Sequence, residues 1–155
     1  MSVSIANPYF DDEESLTAGR RPRVLVADDD DDIRFLVASA LRLDGYVVIE
    51  ARDGSEALRV VSDPRSVPDV IVTDIRMPDM SGLTLLVGLR DGGSMTPIVV
   101  MSAFLSEQVR AVANQFGADA VFCKPFEIDD LRTVVMNVLR PNDGPWAFAT
   151  TLSDA

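Results

Sequence analysis

Four short apolar runs in this chain each stop on a polar side chain. Val24-Leu25-Val26-Ala27 stops on Asp28-Asp29, Val70-Ile71-Val72-Thr73 on Asp74, Ile98-Val99-Val100-Met101 on Ser102, and Val121-Phe122-Cys123 on Lys124. Each ending alone has an ordinary explanation, such as a turn serine or a solvated lysine before Pro125. Together they supply three carboxylates, a hydroxyl and an ammonium group. Neighbouring carboxylates repel at neutral pH, and a hard cation relieves that repulsion. Mg2+ suits such an oxygen-only donor set, keeps some of its waters and typically bridges to a phosphate. A carboxylate beside it is a nucleophile of the aspartyl-phosphate kind, and phosphoryl transfer is mostly positioning and charge neutralisation. Asp74 is the candidate acceptor. Lys124 and the cation would neutralise the transferred group, and Ser102 would donate a hydrogen bond to one of its oxygens.

These residues converge only if the runs are parallel strands ending on one edge of a sheet. The sequence predicts that arrangement. Strands over Arg23–Ala27, Tyr46–Glu50, Val70–Asp74, Pro97–Met101 and Ala120–Cys123 alternate with segments of helical period. The first helix carries Ile33, Leu36, Val37, Ala40 and Leu41 on one stripe and stops at Gly45. The second opens at Asp53 and runs through Val61, and the third spans Leu83 to Leu89. Ser106 caps a fourth, with Val109, Val112, Ala113 and Phe116 facing inward. The fifth, Ile128 to Leu139, shows Leu131, Val134, Val135 and Val138 on one face. Five βα repeats predict an α/β fold with helices on both faces of a parallel sheet, a three-layer sandwich. Open sheets of this kind hold ligands at the carboxyl ends of their strands. Asp31 and Asp32 are explained by a helix N-terminus, where negative charge is favoured. Asp28 and Asp29 are not.

Composition narrows the function. Of 155 residues, 47% are hydrophobic and none is histidine, with one cysteine, Cys123. A zinc site and histidine-dependent acid–base chemistry are therefore disfavoured, and the lone cysteine fits a reducing, cytoplasmic setting. A net charge of −11 argues against nucleic acid and anionic membranes as partners. No run approaches the roughly 20 apolar residues of a membrane span. Residues 1–22, with the acidic Asp11-Asp12-Glu13-Glu14, read as a flexible tail. Residues 141–155 read as a second tail, whose Trp146 and Phe148 are expected to pack back on the body.

The motifs Val-Leu-Val-Ala-Asp-Asp-Asp at 24–30, Asp-Ile-Arg-Met-Pro-Asp-Met-Ser-Gly at 74–82, Ser102-Ala103 and Lys124-Pro125-Phe126 resemble response-regulator receiver domains of two-component signalling. The resemblance covers about Arg23 to Leu139, and a receiver is expected over 23–140 with no output domain. It implies the flavodoxin-like strand order 2-1-3-4-5. It implies phosphotransfer onto Asp74 from the phosphohistidine of a sensor histidine kinase or histidine phosphotransfer protein. It implies Mg2+ held by Asp29, Asp74 and the backbone carbonyl of Arg76, with Asp28 acting through water. Lys124 and Ser102 would read the phosphate, and the Lys124–Pro125 bond is expected to be cis. Such a domain is a signalling module, not an enzyme in the ordinary sense. It would act on a downstream protein of unknown identity, or as a homodimer through the face formed by the fourth helix, fifth strand and fifth helix.

Two departures from the family stand out. The aromatic residue three positions before the lysine is Val121 here, and strand alternation turns the neighbouring Phe122 to the opposite face. Phe104, two residues after Ser102, is bulky and either shields the phosphoryl group or covers apolar surface. The alternative reading is a degenerate receiver that binds partners without being phosphorylated. A haloacid-dehalogenase-like phosphatase would need an acid where Arg76 stands. A nucleotide-binding module would need a Gly-, Ser- or Thr-rich turn where the aspartates stand.

Overall fold

The computed structural model describes residues 20–140. Five strands alternate with five helices: β1 (Arg23–Ala27), α1 (Asp31–Leu43), β2 (Val47–Ala51), α2 (Gly54–Ser62), β3 (Val70–Asp74), α3 (Gly82–Asp91), β4 (Ile98–Ser102), α4 (Glu107–Gln115), β5 (Ala120–Cys123) and α5 (Ile128–Leu139). The strands pair in parallel in the order β2-β1-β3-β4-β5, the expected flavodoxin-like arrangement. The strand order reverses direction between β1 and β3. Their carboxyl ends therefore flank the crevice where such sheets hold ligands.

Strand alternation builds two cores. Val24, Val26, Val70, Val72, Val99 and Met101 face Val37 and Leu41 of α1 and Leu131 and Val135 of α5. Leu25, Ala27, Ile71, Ile98 and Val100 face Ala57 of α2, Leu85 and Leu86 of α3 and, at the rim, Val109 of α4. Every residue of β3 and β4 is buried, which fits their apolar runs through Val72 and Met101. Each fully buried Val or Leu contributes on the order of 1.5–3 kcal/mol by leaving water. The polar residues that interrupt this core thus stand in costly positions.

Local chemistry accounts for most boundaries. Asp30, Asp53, Ser81 and Ser106 cap α1, α2, α3 and α4, their side chains accepting from backbone N–H groups of the first turn. The α1 cap is thus Asp30, with Asp31 and Asp32 in the first turn. The stripe of α1 is rotated from the expected one: Ala38 is buried and Leu36 is 50% exposed. β2 starts one residue later than expected because the N–H of Tyr46 still bonds to Leu41 O, closing a turn through Gly45 at φ 96°. α3 extends beyond the expected span at both ends, and its earlier start is set by Ser81, whose Oγ takes the N–H of Thr84. The last residues of the expected N-terminal tail are held: Arg20 pairs with Asp69 at 3.1 Å, and Pro22 O accepts from Val47 N–H. Trp146, Phe148 and the acidic run at 11–14 lie outside the described residues.

Candidate functional site

Asp28 follows β1 directly and is fully buried. Its Oδ1 accepts the N–H of Asp30 at 2.9 Å, an Asx-type turn that bends the chain toward α1. Its Oδ2 accepts from Lys124 Nζ at 2.7 Å. Arg34, one turn into α1, donates to Asp28 O at 2.9 Å and fixes the backbone there. Asp29 is exposed at the same corner.

Asp74 is the last residue of β3 and only 6% exposed. Its Oδ1 accepts the N–H of Ile75 at 2.9 Å and lies 3.4 Å from Lys124 Nζ. The loop behind it folds tightly back. Thr73 Oγ1 donates to Asp74 O at 2.9 Å, and Gly82 N–H donates to Ile75 O at 2.9 Å. A Cβ at Gly82 would collide with the Asp74 carbonyl oxygen, and one at Gly54 with the backbone of Met80. Both glycines permit a close backbone approach on which the loop depends. Asp79, in this loop, adopts φ 73°. Lys124 arrives from the end of β5, its N–H on Ser102 O at 2.8 Å. The Lys124–Pro125 bond is cis, as the resemblance implied.

One ammonium therefore reaches two of the carboxylates, Asp28 and Asp74. Asp28, Asp29 and Asp74 each offer an oxygen within 4.8 Å of the others. Burial, and then the charge of Asp28, push the Asp74 carboxyl up to about 6 against the pull of Lys124. Burial draws the Lys124 ammonium down, but its hydrogen bond to Asp28 and the charges of both aspartates outweigh that, and the net shift is upward. Lys124 therefore stays charged while Asp74 resists ionisation. An all-oxygen cluster short of positive charge has the donor chemistry a hard divalent cation requires.

Ser102 sits one residue beyond the Asp74–Met101 register and is 1% exposed. Its hydroxyl is directed at its own loop. It donates to Phe104 O at 2.9 Å and accepts from Phe104 N–H at 3.1 Å. Arg76 and Phe104, each two residues past a site residue, meet across the two loops, the guanidinium carbon 5.0 Å from the ring centroid. Phe104 is 67% exposed, so it covers little of the core. Phe122 joins the α1–α5 core and lies 5.4 Å from the Phe126 ring. Val121 is half-buried on the other face.

The structure thus gathers Asp28, Asp29, Asp74 and Lys124 as the sequence predicted, and gives Ser102 a different partner. Sequence reasoning missed the roles of Thr73, Arg34 and the Phe104 backbone. Thr73 alone left a signal, as the one hydroxyl inside the apolar run before Asp74.

The family model for the response regulator receiver domain matches residues 24–136. The chain belongs to the response-regulator receiver family. Transcriptional regulatory protein PrrA of Mycobacterium tuberculosis is 41% identical over 119 residues, which are 77% of this chain and 50% of that relative. Response regulator MprA of Mycobacterium avium is 37% identical over 135 residues, 85% of this chain and 58% of the relative. The receiver chain therefore spans about half the length of these curated relatives. Among solved structures, the receiver domain of Francisella response regulator 1452 superposes with TM-score 0.71 at 36% identity, covering 76% of this chain and 96% of that one. The chemotaxis protein CheY4 of Vibrio cholerae gives 0.70 at 31% identity, covering 77% and 100%. Receivers are signalling modules rather than conventional enzymes, and the acidic cluster of this receiver is one that could hold a metal ion. No helix among the described residues is long and apolar enough to cross a membrane.

Proposed function

We propose that this receiver accepts a phosphoryl group on Asp74 from the phosphohistidine of a sensor histidine kinase or histidine phosphotransfer protein, and that the modified form changes its binding to a downstream protein. The observation that carries the reading is the buried Asp74 carboxylate, raised to about 6, beside Lys124 and two further aspartates. A carboxylate so placed gains from any group that brings positive charge or removes its own. In the reaction an Asp74 oxygen bonds to phosphorus as the phosphorus–nitrogen bond of the donor breaks. The imidazole nitrogen keeps the electron pair and is protonated.

Asp29, Asp74 and the backbone carbonyl of Arg76 would hold Mg2+, with Asp28 contributing through water. Bound there, Mg2+ supplies positive charge to the phosphoryl oxygens. Lys124 neutralises one of those oxygens from the side already fixed by Asp28. Ser102 donates to another once it is released from Phe104. Signalling in the cytoplasm, and a homodimer through α4, β5 and α5, belong to the same reading. Incubation with acetyl phosphate and Mg2+ should add one phosphoryl mass to the intact chain, and Asp74→Asn should abolish it. Undiminished labelling of Asp74→Asn would remove Asp74 from the role.

A further inference from the structure

Arg34 stands one turn into α1 with its side chain largely buried, and its guanidinium ties three elements together. Nη1 donates to Asp28 O at 2.9 Å, at the end of β1. Nε donates to Glu50 Oε1 at 3.1 Å, in β2. Nη2 donates to Asp31 Oδ1 at 2.6 Å, in the first turn of α1. Asp28 O belongs to the peptide unit that joins Asp28 to Asp29. That unit is planar, so a bond that fixes its carbonyl also fixes the N and Cα of Asp29. The N–H of Asp28 is held too, on Ala51 O at 3.1 Å. We propose that Arg34 is a positioning residue of the candidate cation site: it aims the Asp29 carboxylate at Asp28 and Asp74 and so sets the affinity for a divalent cation. This deepens the reading of Asp28, Asp29 and Asp74 as a Mg2+ site and rests on it.

The three acids of the cluster are not held alike. Asp28 and Asp74 are buried, and both reach Lys124 and a backbone N–H. Asp29 is the exposed member, placed in the turn between β1 and α1. Its like-charged neighbours repel it toward water, so the turn backbone must keep its oxygen within 4.8 Å of theirs. Arg34 holds that backbone from behind. Partners that orient the ligands of a metal site in this way govern its affinity by about 10- to 100-fold. The guanidinium suits the task because its donors lie in one rigid plane, whereas a lysine offers a single nitrogen on a flexible stem. The charge of Arg34 acts in the opposite sense, since a positive group near the cluster repels Mg2+. Positioning and mere charge therefore predict opposite signs when Arg34 is removed.

The test is a calorimetric titration of Mg2+ alone into the full chain at pH 8. Arg34→Met is expected to bind Mg2+ about tenfold more weakly than the parent. Equal or tighter binding would overturn the proposal. Arg34→Lys keeps the charge and loses the fork, and it too should bind more weakly; full parental affinity there would overturn the role of the fork. Glu50→Ala leaves Arg34 in place but removes one of its anchors, which keeps the question open to measurement should an Arg34 variant not fold. It should weaken binding by a smaller factor, and add nothing in the Arg34→Met background. The same factor in both backgrounds would overturn the proposal. Labelling by acetyl phosphate gives a second readout, one that loss of stability would not move. In Arg34→Met the Mg2+ concentration for half-maximal rate should rise about tenfold while the plateau rate stays parental. A lowered plateau at parental half-saturation would count against positioning. A parent chain that binds no Mg2+ defeats the cation-site reading itself; a parent that binds it, with Arg34→Met its equal, defeats only the role of Arg34.

Discussion

Two clusters of charge in this receiver are built from the same residue types and behave oppositely. At the foot of α1, Arg132 of α5 grips Asp44 through two hydrogen bonds, of 2.9 and 2.7 Å, and reaches Asp129 at 2.8 Å. There the hydrogen bonds of the guanidinium hold the Asp44 carboxyl below its usual range, against the opposing effect of burial. At the carboxyl edge of the sheet, one partly buried ammonium pairs with two buried aspartates, an exposed third stands beside them, and the Asp74 carboxyl rises to about 6. The first cluster is solvated on a surface, with donors to match its acceptors. The second is starved of positive charge inside the fold. Ion pairs as such therefore do not mark the functional site; a deficit of compensation in a buried place does.

If that contrast is right, removing the single cation from each cluster separates them most widely. Lys124→Ala should cost about 3 kcal/mol in urea unfolding at pH 8, because two buried carboxylates lose their partner. A loss under 1 kcal/mol would mean that solvent already screens the site. Next, Asp74→Asn should stabilise the metal-free chain at pH 8 by about 2–3 kcal/mol, since it deletes the charge the fold resists. The sign follows from the raised value. Between about pH 4 and 6 the native state binds more protons than the unfolded chain, so the parent loses stability as pH rises through that window. In Asp74→Asn that part of the pH profile should be flat. Mg2+ sharpens the comparison from the other direction: at about five times its dissociation constant it should stabilise the parent by about 1 kcal/mol near pH 7. The gain should vanish at pH 4 and in Asp29→Asn, and persist in Arg132→Ala. The smallest effect is Arg132→Ala itself, expected to lower the urea midpoint less than any change above, as loss of an exposed pair does, and to shrink in high salt.

Much of this was legible in the chain as a string of residues. The bounds of β1, β3, β5 and α5 follow from uninterrupted apolar runs, from period, and from the stops at Asp28, Asp74, Lys124 and Pro141. Two errors, Leu36 on the buried stripe of α1 and the early start of β2, have local causes. Both lie where a turn or a neighbouring helix decides between positions of similar hydrophobicity. The order β2-β1-β3-β4-β5 was expected by resemblance. Parallel pairing is specified by the crossovers, but which neighbours pair is not a property of any one strand.

What the sequence determined by itself was a set of chemical endings: Asp28, Asp29, Asp74, Ser102 and Lys124 behind apolar strands of one repeating unit. Hydrophobic period and strand polarity are local, so those endings had to share an edge. Tertiary structure decided how each polar atom is spent. Lys124 lies nearer to Asp28 than to Asp74, at 2.7 against 3.4 Å. The Ser102 hydroxyl goes to the Phe104 backbone, and Arg76 reaches across to the Phe104 ring. A residue's type states how many protons and lone pairs it brings. Which of several competing partners receives them depends on distances between segments far apart in the chain, and only the packed fold sets those.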